Sequence, residues 1–167
     1  MDDAIFTRRS IRKYKEDPVE KEKLDYLLRA AMSAPSAGNE QPWEFIVVTD
    51  KKVMEGIIKA HPYAGMLRTA PLAIAVLGSL KRELHSGFWV QDCAAATENL
   101  LIAAAAQGLG SCWLGVWPLD DREDALSQLF SLPDDVKVFA IVATGYPDEE
   151  KDEVNRYENW RVHHNRW

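Results

Sequence analysis

The chain has 167 residues, 47% of them hydrophobic and 28% charged, with a formal net charge of -6. This length suits one domain, residues 1–167, burying roughly 70% of its unfolded surface, and the composition excludes disordered and fibrous classes. The acidic balance argues against nucleic-acid or anionic-membrane partners, no apolar run reaches the ~18 residues of a membrane span, and acidic Asp2 and Asp3 stand where a leader would be basic, so a cytoplasmic setting is expected.

The first feature along the chain is Arg8-Arg9-Ser10-Ile11-Arg12, three guanidinium groups and a hydroxyl in one short stretch of an acidic protein. Planar paired donors match phosphate oxygens, so the cluster points to an anion site, with a solvated helix end as the alternative. Asp17-Pro18-Val19-Glu20 reads as a cap, a first-turn proline and a capping-box carboxylate, predicting a helix to about Ala34. Leu24, Leu27, Leu28 and Ala31 give that helix an apolar stripe, and Pro35 stops it. Phe45 to Val48 predicts a strand, and Asp50 a cap for a helix through about Lys59. Ala73 to Leu77 repeats the strand pattern. Val90 to Gln107 predicts the most apolar helix, ended by Gly108 and Gly110. Cys112 to Val116 and Val138 to Ala143 predict further strands, with a helix capped by Asp120 between them. Cys93 and Cys112 lack metal-ligand spacing and read as core residues; no metal is expected.

Two stretches ask for more than connection. Pro35-Ser36-Ala37-Gly38-Asn39-Glu40-Gln41-Pro42-Trp43 carries a conformationally free glycine between stiffening prolines, and Ser36 and Asn39 can aim polar atoms at a planar ligand or satisfy their own turn. The tail from Arg156 to Trp167 holds Tyr157, Trp160 and Trp167, too much apolar area to leave wet. Docking on another copy of the chain is favoured over folding back on the same domain.

These motifs together resemble the nitroreductase family of flavin enzymes, in its short bacterial and archaeal form. The resemblance rests on Arg8 to Arg12, Pro35 to Trp43, Gln91 to Asn99, Trp113 to Val116 and Arg156 to Trp167, in that order. It implies an α+β three-layer fold, a mostly antiparallel sheet flanked by helices, and a homodimer with FMN at the interface. By resemblance, Arg8 and Ser10 hold the FMN phosphate, Arg9 supports the phosphate and ribityl region, and Arg156 closes the phosphate from the tail. Arg161 is a further phosphate candidate. Arg12 reaches the pyrimidine edge, where a cation stabilises charge that builds on reduction. Pro35, Ser36, Ala37 and Asn39 come from the partner subunit, and Trp113, Leu114 and Gly115 lie by flavin N5. One departure stands out: many relatives have a flavin-contacting lysine where this chain has Gly65.

The implied activity is a two-step oxidoreduction in which NAD(P)H reduces FMN and the flavin then reduces a small electrophile such as a nitroaromatic or quinone. No side chain is assigned catalysis, because the chemistry belongs to the flavin and neither paired carboxylates nor a histidine-centred triad is apparent. A specialised flavin dehydrogenase or reductive dehalogenase, and a flavin-binding protein without turnover, remain open alternatives. The segment Pro71 to Val90 is short, and His85, Phe88 and Trp89 are candidates to line an access channel or simply to pack.

Overall fold

The computed structural model describes residues 4–167, so Asp2 and Asp3 lie outside it. In chain order come α1 (Ala4–Thr7), α2 (Lys21–Met32), β1 (Trp43–Val48), α3 (Lys51–Ala60), β2 (Leu72–Ser79), α4 (Trp89–Ala106), β3 (Gly110–Gly115), α5 (Asp120–Phe130) and β4 (Val136–Gly145). The strands form one antiparallel sheet in the order β1-β2-β4-β3. Strand alternation divides the buried residues between its faces. Ala73, Ala75 and Leu77 pack with Met54 and Ile57 of α3 and Leu126 of α5. Leu72, Ile74 and Val76 face Leu27 of α2 and Ala96 and Leu100 of α4. The result is the three-layer α+β arrangement, with β2 buried along its whole length.

One irregularity positions the end of β3. Pairing moves from Val76↔Ala140 to Leu77↔Val138, leaving Phe139 as an extra residue in β4. Phe139 and Ala140 consequently both join the α2/α4 side, although adjacent strand residues ordinarily alternate. The bulged Phe139 carbonyl accepts from both Val116 N and Trp117 N, which turns the chain out of the sheet just after Gly115.

Most predicted elements lie where the sequence puts them, and β1, β2 and β4 extend beyond their predicted ends. Asp50 caps α3 as read, accepting from Lys52 N and Val53 N. Gly108 ends α4 at φ +71°. Three local readings are corrected. α2 starts at Lys21, not beside Pro18; Glu20 is extended and its carboxylate accepts from the Tyr146 hydroxyl instead of closing a capping box. Asp120 is the first residue of α5, whose cap position is Leu119. Gly110 begins β3 and terminates no helix.

The chain from residue 150 onward is exposed throughout, with one 3-10 turn at Asn159–Arg161. Tyr157 and Trp160 are each 71% exposed and Trp167 is fully exposed. The tail's aromatic area is therefore not covered by its own domain.

Candidate functional site

The arginine segment is mounted on the edge of β3. Ile11 N donates to Ser111 O, a parallel bridge joins Ser10 to Ser111, and Ile11 packs directly over Gly110, where a Cβ would lie 2.8 Å from it. Only glycine permits that approach. Tyr14 donates its hydroxyl to Ile11 O, Glu149 accepts from Arg12 N and Lys13 N, and Lys151 donates to Ser10 O. With its backbone satisfied on both sides, the segment is a firm platform for its side chains.

Arg8, Arg9 and Arg156 line one cavity of about 560 Å³, together with Ile5 and Phe6. The tail and the N-terminal cluster thus converge although they are far apart in sequence. Arg8 Nε lies 3.3 Å from Glu98 of α4 without a directional hydrogen bond. Arg9 is more heavily committed, because Nε donates to Asp152 O and Nη1 to Phe6 O and Arg8 O, while Nη2 is buried with no partner among the described residues. Its bonds tie α1 to the base of the tail. Arg12 is exposed and outside this cavity's lining. Arg161 is occupied within the tail, paired with Glu158 at 2.7 Å and stacked over Trp160.

At the end of β3, Trp113 packs edge-on against Phe139 and Leu114 is buried in the core, so these side chains face inward. Gly115 is exposed, with open space where a Cβ would stand. A flat ring can approach backbone there without meeting a side chain. Behind it, His61 bonds the Gly115 carbonyl at 2.9 Å, and Arg122 Nη1 donates to the same oxygen at 3.0 Å. On sequence His61 has no triad partner and is assigned no catalysis; its place behind the strand end emerges only with the fold. Burial foremost holds its imidazole below the usual range, and Arg122 adds to that.

The Pro35 to Asn39 loop forms a short 3-10 turn at Ala37–Asn39, with Gly38 at φ +53° and Asn39 at φ +59°. Ser36 Oγ accepts from Gln41 N and Asn39 Oδ1 from Gln41 Nε2, so these acceptors serve the turn. Pro35 is exposed, whereas Ala37 N donates to Asp92 in the first turn of α4. The arginine segment instead meets α4 at Glu98 and borders Ala105. At 1.5 Å per residue, the two parts are separated by roughly 9 to 20 Å along that helix. Within one chain, the loop and the arginine cavity occupy different regions. Gly65 has no side chain to offer, and the Arg68 guanidinium lies beside it. Among the described residues, no His/Cys/Asp/Glu group is arranged to hold a metal, and no helix is long and apolar enough to cross a membrane.

The chain can now be set beside known proteins. The model of the nitroreductase family matches residues 5–61 and 57–146. A protein of Methanothermobacter thermautotrophicus, provisionally named NADH dehydrogenase/NAD(P)H nitroreductase, is 45% identical over 165 residues, covering 99% of this chain and 86% of its own. The solved FMN-dependent nitroreductase from Clostridium difficile R20291 has a TM-score of 0.92 at 34% identity and covers 100% of both chains. A provisionally named nitroreductase from Desulfovibrio desulfuricans, solved in complex with FMN, has a TM-score of 0.85 at 28% identity, covering 98% of this chain and 95% of that one.

Proposed function

The chain belongs to the nitroreductase family, and we propose that it works as an FMN-dependent oxidoreductase that takes reducing equivalents from NAD(P)H and passes them to a small electrophile. The observation that carries this reading is the convergence of Arg8, Arg9 and Arg156 on one cavity. Guanidinium donors from both ends of the chain suit a phosphate group, and Arg9 Nη2 is a buried donor with no acceptor among the described residues.

Arg8 and Arg156 are the principal phosphate residues in this reading, with Ser10 beside them. Arg9 contributes through Nη2 while bracing α1 against the tail. Arg12 is assigned to the pyrimidine edge of the flavin. Trp113, Leu114 and Gly115 contribute backbone, because the first two side chains are turned toward the core. When bound, FMN supplies a ring that accepts hydride and releases electrons to an acceptor. The protein binds and orients, and solvent supplies the proton.

The functional unit is a homodimer in this reading. Its support is the separation of the 35–39 loop from the arginine cavity and the uncovered Tyr157, Trp160 and Trp167. A partner's Pro35, Ser36, Ala37 and Asn39 then complete each site, and the tails cover apolar area across the interface. Nitroaromatics and quinones are the acceptor classes to test. Mixing FMN-loaded protein with NAD(P)H and such an acceptor should give sustained cofactor consumption. Tight flavin binding with no consumption would instead favour the flavin-binding protein without turnover.

A further inference from the structure

Glu40 closes the 35–39 loop and Asp92 stands in the first turn of α4, and the two are only 8% and 4% exposed. Glu40 Oε2 accepts from Leu84 N at 2.6 Å and His85 N at 3.0 Å. Asp92 Oδ1 accepts from Ala37 N at 3.0 Å. The remaining oxygens, Glu40 Oε1 and Asp92 Oδ2, are buried and have no N–H or other proton donor of the described chain. Ala37 links the two, since its N–H donates to Asp92 while its carbonyl accepts from Glu40 N, so both buried carboxyl groups flank the same turn of the loop. Two carboxylates placed so would only repel, whereas a single proton converts both orphaned oxygens into one bond. Glu40 has two backbone donors and is the better anion, which assigns a proton shared by the pair to Asp92.

We propose that Glu40 and Asp92 share one proton and act as a positioning pair that ties the flavin-facing loop to the segment 84–88 across the first turn of α4. This rests on reading the 35–39 loop as flavin-facing. The pair joins Ala37 to Leu84 and His85 through one set of bonds. Gly38 lies directly against His85, where a Cβ would come within 2.8 Å of Nε2, and Phe88 packs edge-on against the same imidazole. A shift of the loop therefore carries with it the exposed edge made by Leu84, His85 and Phe88.

The bond exists only while one proton is present. Asp92 is raised from its ordinary value, first by burial and also by Glu40 and Glu83. Burial acts to raise Glu40, but the backbone donors of Leu84 and His85, with Asp92 and the His85 side chain, together hold it below its ordinary value. On α4, the adjacent Cys93 thiol is pushed up to about 12 by burial and stays neutral. The tie is intact between the lowered Glu40 value and the raised Asp92 value, and opens as pH climbs through the latter.

Hydrogen-exchange protection of the Ala37, Leu84 and His85 amides, corrected for intrinsic rates and followed across pH, tests the pair in apo and FMN-loaded protein. FMN dissociation is measured in parallel. In the wild type, protection should fall about tenfold with rising pH, the loss of one charge-assisted bond, and FMN should leave faster. Asp92→Asn supplies an amide N–H in place of the acid O–H and should remain protected at every pH. Asp92→Ala should be poorly protected throughout. Wild-type protection indifferent to pH, or Asp92→Asn behaving as Asp92→Ala, would overturn the shared proton. The expected exchange pattern with identical FMN dissociation in all three proteins would overturn the positioning role. A wild type that binds no FMN would defeat the flavin reading instead, while exchange in the apo-protein would still decide the proton.

Discussion

The imidazole of His61, buried at the C-terminal end of α3, donates from Nε2 to the carbonyl of Gly115 at the open end of β3, 2.9 Å away. The tautomer follows from the other nitrogen, because Nδ1 accepts from Tyr63 N. A helix on one face of the sheet thereby fixes a strand end on its edge, and the Phe139 bulge fixes the residues that follow.

His61→Ala removes a buried side chain whose two ring nitrogens serve the backbone at Gly115 and Tyr63, and Arg122 still serves Gly115. The expected cost is about 1–3 kcal/mol in denaturant unfolding. The folded pKa is lowered, so the neutral ring's contribution is fully present above 6.5. It is lost as pH falls from there through the depressed folded value. Stability profiles of wild type and His61→Ala should therefore converge on acidification; parallel profiles would contradict the assignment.

Arg8→Ala should weaken FMN binding by about tenfold or more, the worth of a lost charge-assisted bond. Lys52→Ala, an exposed change on α3, should leave affinity unchanged. Fluorescence titration of both variants makes the comparison, and equal affinities would remove Arg8 from the phosphate site.

Removal of residues 156–167 should lower both dimerisation and flavin retention, because it takes away Arg156 and the exposed Tyr157, Trp160 and Trp167 together. Sedimentation and FMN titration of the shortened protein check this. An unchanged dimer of unchanged affinity would assign the tail elsewhere.

Asp50→Ala should lower stability by about 1 kcal/mol without altering FMN affinity, since among the described residues its carboxylate accepts from the amides of Lys52 and Val53 alone. Thermal or denaturant unfolding measures the first effect and flavin titration the second. Asp17→Ala should have much less effect, because α2 begins beyond it.

The contrast between Asp50 and Asp17 shows what the sequence could disclose. Both are acidic residues before an apolar helical pattern, but the box at Asp17 does not form, and Tyr146, just beyond β4, engages the Glu20 carboxylate instead. Strand positions were legible from apolar runs, whereas the bulge at Phe139 depends on pairing with β2 and leaves no local mark. The arginine cluster was visible as charge. That Arg9 spends most of its donors on the carbonyls of Phe6, Arg8 and Asp152 was not. Glu40 and Asp92 each sit within a recognisable motif, yet only folding brings two acids into one buried pocket and makes a proton the simplest way to satisfy both.

Titration of flavin-free protein with FMN, followed by flavin fluorescence with the assembly state read by sedimentation, tests the central claim most directly. One FMN bound per chain in a dimer, bleached by NAD(P)H and restored by an electrophilic acceptor, is the predicted result. A protein that stays colourless and leaves added FMN unbound would contradict it.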